Sequence, residues 1–261
     1  KKRVLDLLSP TGVAILNADD PVCMQWIDQV TGPVLTYGMG DQAEVRGRVL
    51  EAYSNEQTFL LSVGSESVAV HTAMVGEHHV SNCLAAATVA LSYGIDLQTI
   101  ARGLESVAEL PSRMQRVDCG QGFPVYVEAA ESPEALSSAL RTARKLTSDR
   151  VICVLGDRQN DSNSQLYTLG QIVQRMADLV VATSPLEEWI GAHGAVVEVA
   201  PDRSTAIAWA VAMAEPGDVV VIVGSQSSPS RTFGQSITPD DVEITRKLLR
   251  QRNRHVFGVV A

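Results

Sequence analysis

The second half of the chain alternates short, predominantly apolar runs with helical patterns, and this alternation is the strongest constraint on its fold. The apolar runs are residues 123–127, 151–155, 179–182, 195–199 and 219–223. Helical patterns occur at residues 133–146, 166–177, 204–214 and 239–250. Strands that are apolar on both faces are buried on both sides, and strand–helix alternation is typical of parallel sheets. We therefore predict an α/β fold with a mostly parallel sheet.

The first half has a different pattern. We predict a short helix at residues 2–8, strands at 13–16 and 33–36, antiparallel strands at 46–50, 58–63 and 67–74, and helices at 77–91 and 96–106. The segment Leu110-Pro111-Ser112 separates the two patterns. We place a domain boundary there, with one domain at residues 1–109 and the other at 110–261.

Composition restricts the class of protein. The formal net charge of −9 argues against nucleic acid as the main partner, because phosphate backbones select basic surfaces. No apolar run is long enough to suggest membrane insertion, and no signal peptide is recognisable. The four cysteines, Cys23, Cys83, Cys119 and Cys153, are scattered, which fits reduced thiols and a cytoplasmic location.

Three motifs resemble those of the Mur ligases. They are residues 14–21 (AILNADDP), 76–87 (GEHHVSNCLAAA) and 110–117 (LPSRMQRV). Their order and spacing are most similar to the UDP-N-acetylmuramoyl-tripeptide synthetase branch, which adds the third residue of the peptidoglycan stem peptide. The resemblance implies an ATP- and Mg²⁺-dependent ligase that joins an amino acid to a UDP-N-acetylmuramoyl-peptide through an acyl phosphate.

The resemblance covers nearly the whole chain but only part of the family's domain set. It implies that residues 1–109 are the second half of the central ATPase domain. Residues 110–261 would be the Rossmann-like C-terminal ligase domain. The family's G-x-x-G-K-[ST] phosphate loop does not occur in the 261 residues. We expect a further N-terminal part of the same protein to supply it if the protein is an active ligase.

The resemblance also implies roles for individual residues. Lys2 matches a lysine that the family carbamoylates to bind Mg²⁺, or it is a solvated lysine. Asn82 matches the asparagine that faces adenine, or it makes a helix-start hydrogen bond. Arg113 matches an arginine that approaches ATP phosphate. Glu128 stands where the family has an aspartate, and it could still bind metal or ribose.

Other positions depart from the family pattern. Glu131 replaces a histidine and would repel phosphate. Gln165 and Leu166 replace a basic pair, which leaves Arg158 as the cation of that loop, either at the nucleotide or on the surface. Residues 183–187 lack the Asp-Asn-Pro-Arg recognition segment, and residues 224–228 lack Gly-Lys-Gly-His-Glu.

Acidic residues at helix starts have simpler interpretations. Asn17 and Asp20 follow a strand, and we expect Asp19 or Asp20 to cap the next helix. Asp240 and Asp241 are expected to cap the last helix.

Three hypotheses therefore remain open. The chain is part of a Mur-type ligase, in which Lys2, Asn82, Arg113 and Glu128 carry the chemistry. Alternatively, it is a catalytically degenerate relative that acts as a binding or regulatory module. A third possibility is another carboxylate–amine ligase branch, of the folate or cyanophycin type.

Overall fold

The computed structural model describes residues 2–9, 11–130, 132–156, 162–183, 195–224 and 240–257. The chain divides into two compact units, Lys1–Ala108 and Glu109–Ala261. Each unit is built around its own β-sheet. Among the described residues, no helix has the length and apolar character needed to cross a lipid bilayer.

The first unit contains a five-stranded mixed sheet. Its strands are β1 (Ala14–Asn17), β2 (Val34–Gly38), β3 (Val45–Ala52), β4 (Gln57–Val63) and β5 (Glu66–Thr72). They lie in the order β1-β2-β3-β4-β5, with β1, β2 and β3 parallel and the two later pairs antiparallel. The antiparallel strands follow the β-branched runs that predicted them.

The helices of the first unit cover and connect this sheet. They are α1 (Pro21–Met24), α2 (Glu77–Ser92) and α3 (Leu97–Glu105), with 3₁₀ segments at Lys2–Leu7 and Ile27–Gln29. The first predicted helix is thus a 3₁₀ segment, and the second 3₁₀ segment was not predicted. The core joins Phe59 and Leu61 of β4 to Val80 and Leu84 of α2, so the apolar face of α2 packs on the sheet.

A buried glutamine fixes the start of α2. Gln57 is 1% exposed. Its Nε2 donates to the carbonyl oxygens of Met74 and Gly76 at 2.7 and 3.1 Å, and its Oε1 accepts from the Gly76 N–H at 3.2 Å. Gly76 has a φ of 109°, a conformation that favours glycine. Gln57 therefore satisfies the Met74 carbonyl and the Gly76 N–H, which no helical bond reaches, and adds a third bond to the Gly76 carbonyl, which also accepts from His79 and Val80.

The second unit contains a six-stranded sheet that confirms the prediction of a mostly parallel α/β fold. Its strands are β6 (Gln115–Arg116), β7 (Val125–Glu128), β8 (Val151–Leu155), β9 (Leu179–Thr183), β10 (Val196–Ala200) and β11 (Val219–Val223). They lie in the order β10-β9-β8-β11-β7-β6, and only β6 is antiparallel to its neighbour. With two residues, β6 is too short to produce a recognisable pattern.

Four helices flank the second sheet. They are α4 (Pro133–Leu146), α5 (Asn163–Met176), α6 (Arg203–Met213) and α7 (Asp241–Phe257). Helix α5 begins three residues before the predicted start, because Ser162 and Gln165 form a capping box. Helix α7 begins two residues later than predicted and extends seven residues further.

The two faces of this sheet carry different helices. One face joins alternate strand residues, such as Ile152, Val154 and Ile222, to Ile207 of α6 and Leu249 of α7 in one buried cluster. Helices α4 and α5 contact each other, and α4 also contacts β8 and β11. Because strand side chains alternate between faces, α4 and α5 cover the opposite face. Strands β7, β8, β9 and β11 are buried on both sides as their sequence indicates, whereas the edge strand β10 is largely exposed.

Candidate active site

Three strands of the second sheet end side by side at its carboxyl edge. The N–H of Gly156, just after β8, donates to Val223 O at 3.2 Å, and the N–H of Gly224, just after β11, donates to Glu128 O at 3.3 Å. The chain continues from β8 to α5 on one face and from β11 towards α7 on the other. Open α/β sheets bind ligands outside the carboxyl ends of strands at such a switch point.

Arg113 lies in a strained turn that reaches this edge. Ser112 and Met114 both have positive φ, 54° and 44°, although neither is glycine. Such conformations cost about 1–2 kcal/mol per residue, so surrounding contacts must hold them. The Ala129 N–H donates to Ser112 O at 2.8 Å, and Nη1 of Arg113 donates to Ala129 O at 3.0 Å.

Glu128 ends β7 beneath this turn. Its Oε2 accepts the Met114 N–H at 2.7 Å, and its Oε1 lies 3.6 Å from Nη1 of Arg113. The side chain of Glu128 is 6% exposed, whereas that of Arg113 is 49% exposed. Burial raises the pKa of the Glu128 carboxyl above its usual value, and the Met114 N–H and Arg113 oppose this rise only in part.

A second cation at the edge was not predicted from the sequence. The guanidinium of Arg203, at the start of α6, donates from Nε and Nη2 to both oxygens of Asp241 at 3.1 and 2.8 Å, and from Nη1 to Val223 O at 3.0 Å. The two side chains are 16% and 1% exposed. No sequence pattern joins these residues, which lie 38 positions apart. The expected cap of α7 is provided by Asp240, whose Oδ1 accepts the Val242 N–H at 3.3 Å.

The guanidinium of Arg203 also explains the two glycines at the edge. A Cβ on Gly156 would lie 2.5 Å from Nη1 of Arg203, and a Cβ on Gly224 would lie 2.8 Å from Nη2. Real Cβ atoms do not approach so closely. Gly156 and Gly224 therefore provide the space that the guanidinium of Arg203 occupies.

In the first unit, the residues after β1 form hydrogen bonds with neighbouring backbone. Asp20 caps α1 as predicted, with its Oδ1 accepting the Val22 N–H at 2.8 Å. Asn17 Oδ1 accepts the Asp19 N–H at 2.9 Å. Asp19 does not cap the helix. Its carboxylate accepts the N–H groups of Met39 and Gly40, at 2.6 and 2.9 Å, and so joins the ends of β1 and β2.

Asn82 lies on the exposed surface of α2. The helix begins at Glu77 after Gly76, so Asn82 is in the second turn. The alternative of a helix-start hydrogen bond is therefore wrong, and its amide is accessible for a ligand. His79 is buried and His78 is partly buried, and their rings lie 4.1 Å apart between centroids.

Three of the residues singled out in the sequence lie partly or wholly outside the described part of the chain. Lys2 begins the first 3₁₀ segment, and its side chain lies outside the described part of the chain. Arg158 and Glu131 lie outside the described residues altogether. Within the described ranges, no group of three or more His, Cys, Asp and Glu side chains could hold a metal ion. Of the predicted residues, the structure brings together Arg113 and Glu128.

Gln165, which stands where the family has a basic residue, uses its side chain to cap helix α5. Gln165 Oε1 accepts the Ser162 N–H at 2.9 Å and completes the capping box of α5. The side chain at this position is therefore used by the helix start. We expect it to be unavailable for contact with phosphate.

Comparisons with protein families match both units of the chain. Residues 1–90 match the family model described as "Mur ligase middle domain". Residues 112–226 match the model described as "Mur ligase, glutamate ligase domain".

Curated relatives carry names from the same family. A UDP-N-acetylmuramoyl-L-alanyl-D-glutamate–2,6-diaminopimelate ligase from Geobacillus kaustophilus is 32% identical over 253 residues, which are 92% of this chain and 52% of the relative. A UDP-N-acetylmuramyl-tripeptide synthetase from Roseiflexus is 29% identical over 259 residues, 92% of this chain and 51% of the relative. The chain thus spans about half the length of the curated relatives it matches.

Solved structures give the same fold. A 2,6-diaminopimelate ligase is 25% identical with a TM-score of 0.61, covering 92% of this chain and 53% of that one. A MurF ligase from Thermotoga maritima in complex with ADP has a TM-score of 0.74 at 14% identity, covering 95% of this chain and 55% of that one.

Proposed function

Because the chain belongs to the Mur ligase family, we propose that it is the later part of the ATPase domain and the C-terminal domain of an ATP-dependent ligase. The substrates would be a UDP-N-acetylmuramoyl-peptide and an amino acid, as the names of its relatives indicate. ATP, when bound, would supply the phosphoryl group that activates the carboxylate for attack by the amine.

The observation that carries this proposal is that Arg113 is both partly exposed and held in place by a hydrogen bond. Its guanidinium is half exposed and fixed through Nη1 to Ala129 O. Among the described residues, no group accepts a hydrogen bond from its Nε or Nη2, and about half of the side chain is exposed to solvent. A guanidinium held in this way suits a phosphate group, because its planar donors match two oxygens at once.

Magnesium has less support from the described residues. Of the described carboxylates, Glu128 forms an ion pair with Arg113, but one of its oxygens already accepts the Met114 N–H. Mg²⁺ requires an octahedral oxygen shell and usually keeps several waters, which a buried, bonded carboxylate accommodates poorly. We therefore assign no step to Mg²⁺ at Glu128, and Lys2 stays a proposed ligand.

Nucleotide binding to the chain tests the role of Arg113. We expect Arg113→Ala to weaken ATP binding, measured by calorimetry, about tenfold or more, because a charge-assisted hydrogen bond contributes about 1.5–3 kcal/mol. Arg116→Ala is the matched control. Arg116 is three residues away but pairs with Asp118 at 2.8 Å, so this variant should bind within about twofold of the original. Equal losses in both variants would contradict the assignment.

The DNA sequence upstream of the Lys1 codon tests the ligase as a whole. A reading frame that encodes G-x-x-G-K-[ST] would support it, because that loop binds the phosphates through backbone N–H groups and a lysine. A frame that encodes no such loop would sink the catalytic proposal.

A second candidate function is a binding module that has lost ligation. The capping role of Gln165 favours it, because this side chain now serves the fold where the family has a basic residue. Binding of a UDP-N-acetylmuramoyl-peptide without release of phosphate, at saturating ATP and amino acid, would support this candidate over the ligase.

A further inference from the structure

We propose that Glu128 is a positioning residue, which holds Arg113 and its left-handed turn in place, and that it does not itself bind the nucleotide or a metal ion. This inference deepens the proposed function and rests on it, since Arg113 is taken as the phosphate-binding group. It replaces the ligand role that the sequence resemblance implied for Glu128.

The backbone geometry shows why a carboxylate is needed here. Strand β6 pairs with β7 at Gln115↔Val127 and Arg116↔Tyr126. The next pair in the antiparallel ladder would be Met114 and Glu128. The positive φ of Met114 turns the chain out of strand geometry, and the backbone carbonyl of Glu128 is already bonded to the Gly224 N–H. Because Val117 donates to Val125 O, the alternation of an antiparallel ladder makes Met114 and Glu128 a pair without backbone bonds. The side chain of Glu128 therefore supplies an acceptor for the Met114 N–H that the ladder does not provide.

Three bonds close the turn around Arg113. Glu128 Oε2 accepts from Met114, Ser112 O accepts from Ala129, and Ala129 O accepts from Nη1 of Arg113. Ser112 and Met114 are 4% and 3% exposed, so water cannot replace these bonds. Releasing the Met114 N–H would leave a buried donor unsatisfied, which the turn would relieve by moving.

The length of the Glu128 side chain distinguishes a positioning role from a ligand role. The resemblance implies that relatives carry an aspartate at this position, one methylene shorter. A metal-ligand role would tolerate the shorter carboxylate and would require the negative charge. A positioning role requires the reach of the longer side chain and an acceptor oxygen, which glutamine also supplies.

The two roles therefore predict opposite results for two substitutions. If Glu128 positions the turn, Glu128→Gln should bind Mg²⁺-free ATP within about twofold of the original, and Glu128→Asp should bind it about fivefold more weakly. If Glu128 is a metal ligand, Glu128→Asp should keep its affinity for ATP with Mg²⁺ and Glu128→Gln should lose it, whereas a positioning role gives the same pattern with and without Mg²⁺. Glu198→Gln, an exposed change of the same charge on β10, controls for net charge.

A double-mutant cycle shows whether Glu128 acts through Arg113. In an Arg113→Gln background, Glu128→Asp should have no further effect on ATP affinity, because the group it positions is gone. An undiminished fivefold loss in that background would overturn the proposal. Inorganic tripolyphosphate should reproduce the pattern seen with ATP, whereas a ribose contact would lose its effect with this probe.

Amide hydrogen exchange provides a readout that does not depend on nucleotide. The Met114 amide should be protected in the original chain and in Glu128→Gln, and it should exchange at least tenfold faster in Glu128→Asp. Unchanged exchange in Glu128→Asp would overturn the positioning role. If the original chain binds no ATP while exchange behaves as expected, the proposed function fails and the positioning of the turn stands.

Discussion

Two arginines at the carboxyl edge of the second sheet have similar neighbours but differ in their exposure and in their pairing with a carboxylate. Arg203 is 16% exposed and makes a two-bond ion pair with Asp241, which is 1% exposed. Arg113 is 49% exposed, and its Nη1 lies 3.6 Å from Oε1 of Glu128, beyond hydrogen-bond distance. Both also donate to a backbone carbonyl just at or beyond a strand end.

This difference separates a structural cation from one that can bind a ligand. Asp241 engages Nε and Nη2 of Arg203, so the charge of the pair is neutralised within the fold. Glu128 uses Oε2 for the Met114 N–H and leaves the guanidinium of Arg113 turned partly to solvent. A nearby carboxylate therefore does not by itself decide the role of an arginine. The decisive features are which donors it engages and how much of the cation stays exposed.

The largest expected effect comes from breaking the buried ion pair of Arg203 and Asp241. Arg203→Met should lower the free energy of unfolding, measured in urea, by about 3–5 kcal/mol, because it leaves Asp241 buried without its partner. Adding Asp241→Leu should recover most of this loss, since the unpaired charge is removed. Arg113→Met, the corresponding change in the pair of Arg113 and Glu128, should lower the free energy of unfolding by about 1 kcal/mol or less. Equal costs for the two arginine variants would contradict the distinction.

A smaller effect is expected from filling the space that Arg203 occupies. Gly156→Ala places a Cβ 2.5 Å from Nη1 of Arg203 and should cost about 1–3 kcal/mol of stability through overpacking. The cost should fall in an Arg203→Met background, which urea unfolding of the double variant would show. Gly103→Ala is the control, because a Cβ there has no heavy atom within 4 Å, and it should stabilise α3 by about 1 kcal/mol.

The smallest expected effect is a pH dependence of stability that arises from Glu128, the partner of Arg113. The pKa of Glu128 is raised in the folded state, so the folded chain binds this proton more tightly than the unfolded chain does. The corresponding stability is fully present below the ordinary glutamate pKa and is lost as pH rises through the raised value. The stability of the original chain relative to Glu128→Gln, measured by urea unfolding, should therefore decline as the pH rises above the ordinary glutamate pKa of about 4.3. A difference that stays constant or increases with pH would contradict the direction of this pKa shift.

The sequence predicted most of the secondary structure because that information is local. The five apolar runs of the second unit became β7 to β11, and the Asp20-Pro21 pair began α1. The start of α5 was placed too late, because the capping box of Ser162 and Gln165 was not recognised. Strand β6 was missed because two residues carry no periodicity. The family resemblance rested on motifs that the family matches confirm.

The candidate site was only partly predictable. Arg113 and Glu128 were identified through the resemblance, but their proximity and the bond from Met114 were not. The left-handed turn at Ser112 and Met114 could not be anticipated, since sequence patterns associate positive φ with glycine and asparagine. The pairing of Arg203 with Asp241 also joins residues too far apart for any local pattern.

The sequence by itself determined the class of fold, the boundaries of most elements and the family, because periodicity and motifs are written in neighbouring residues. Tertiary structure alone decided the strand order, which places β11 between β8 and β7. That order brings Gly156 and Gly224 side by side beneath Arg203, and it places Glu128 beneath the turn of Arg113. Whether each guanidinium is fully paired or left partly exposed depends on burial and on distances between residues remote in sequence. These are defined only once the sheet has formed.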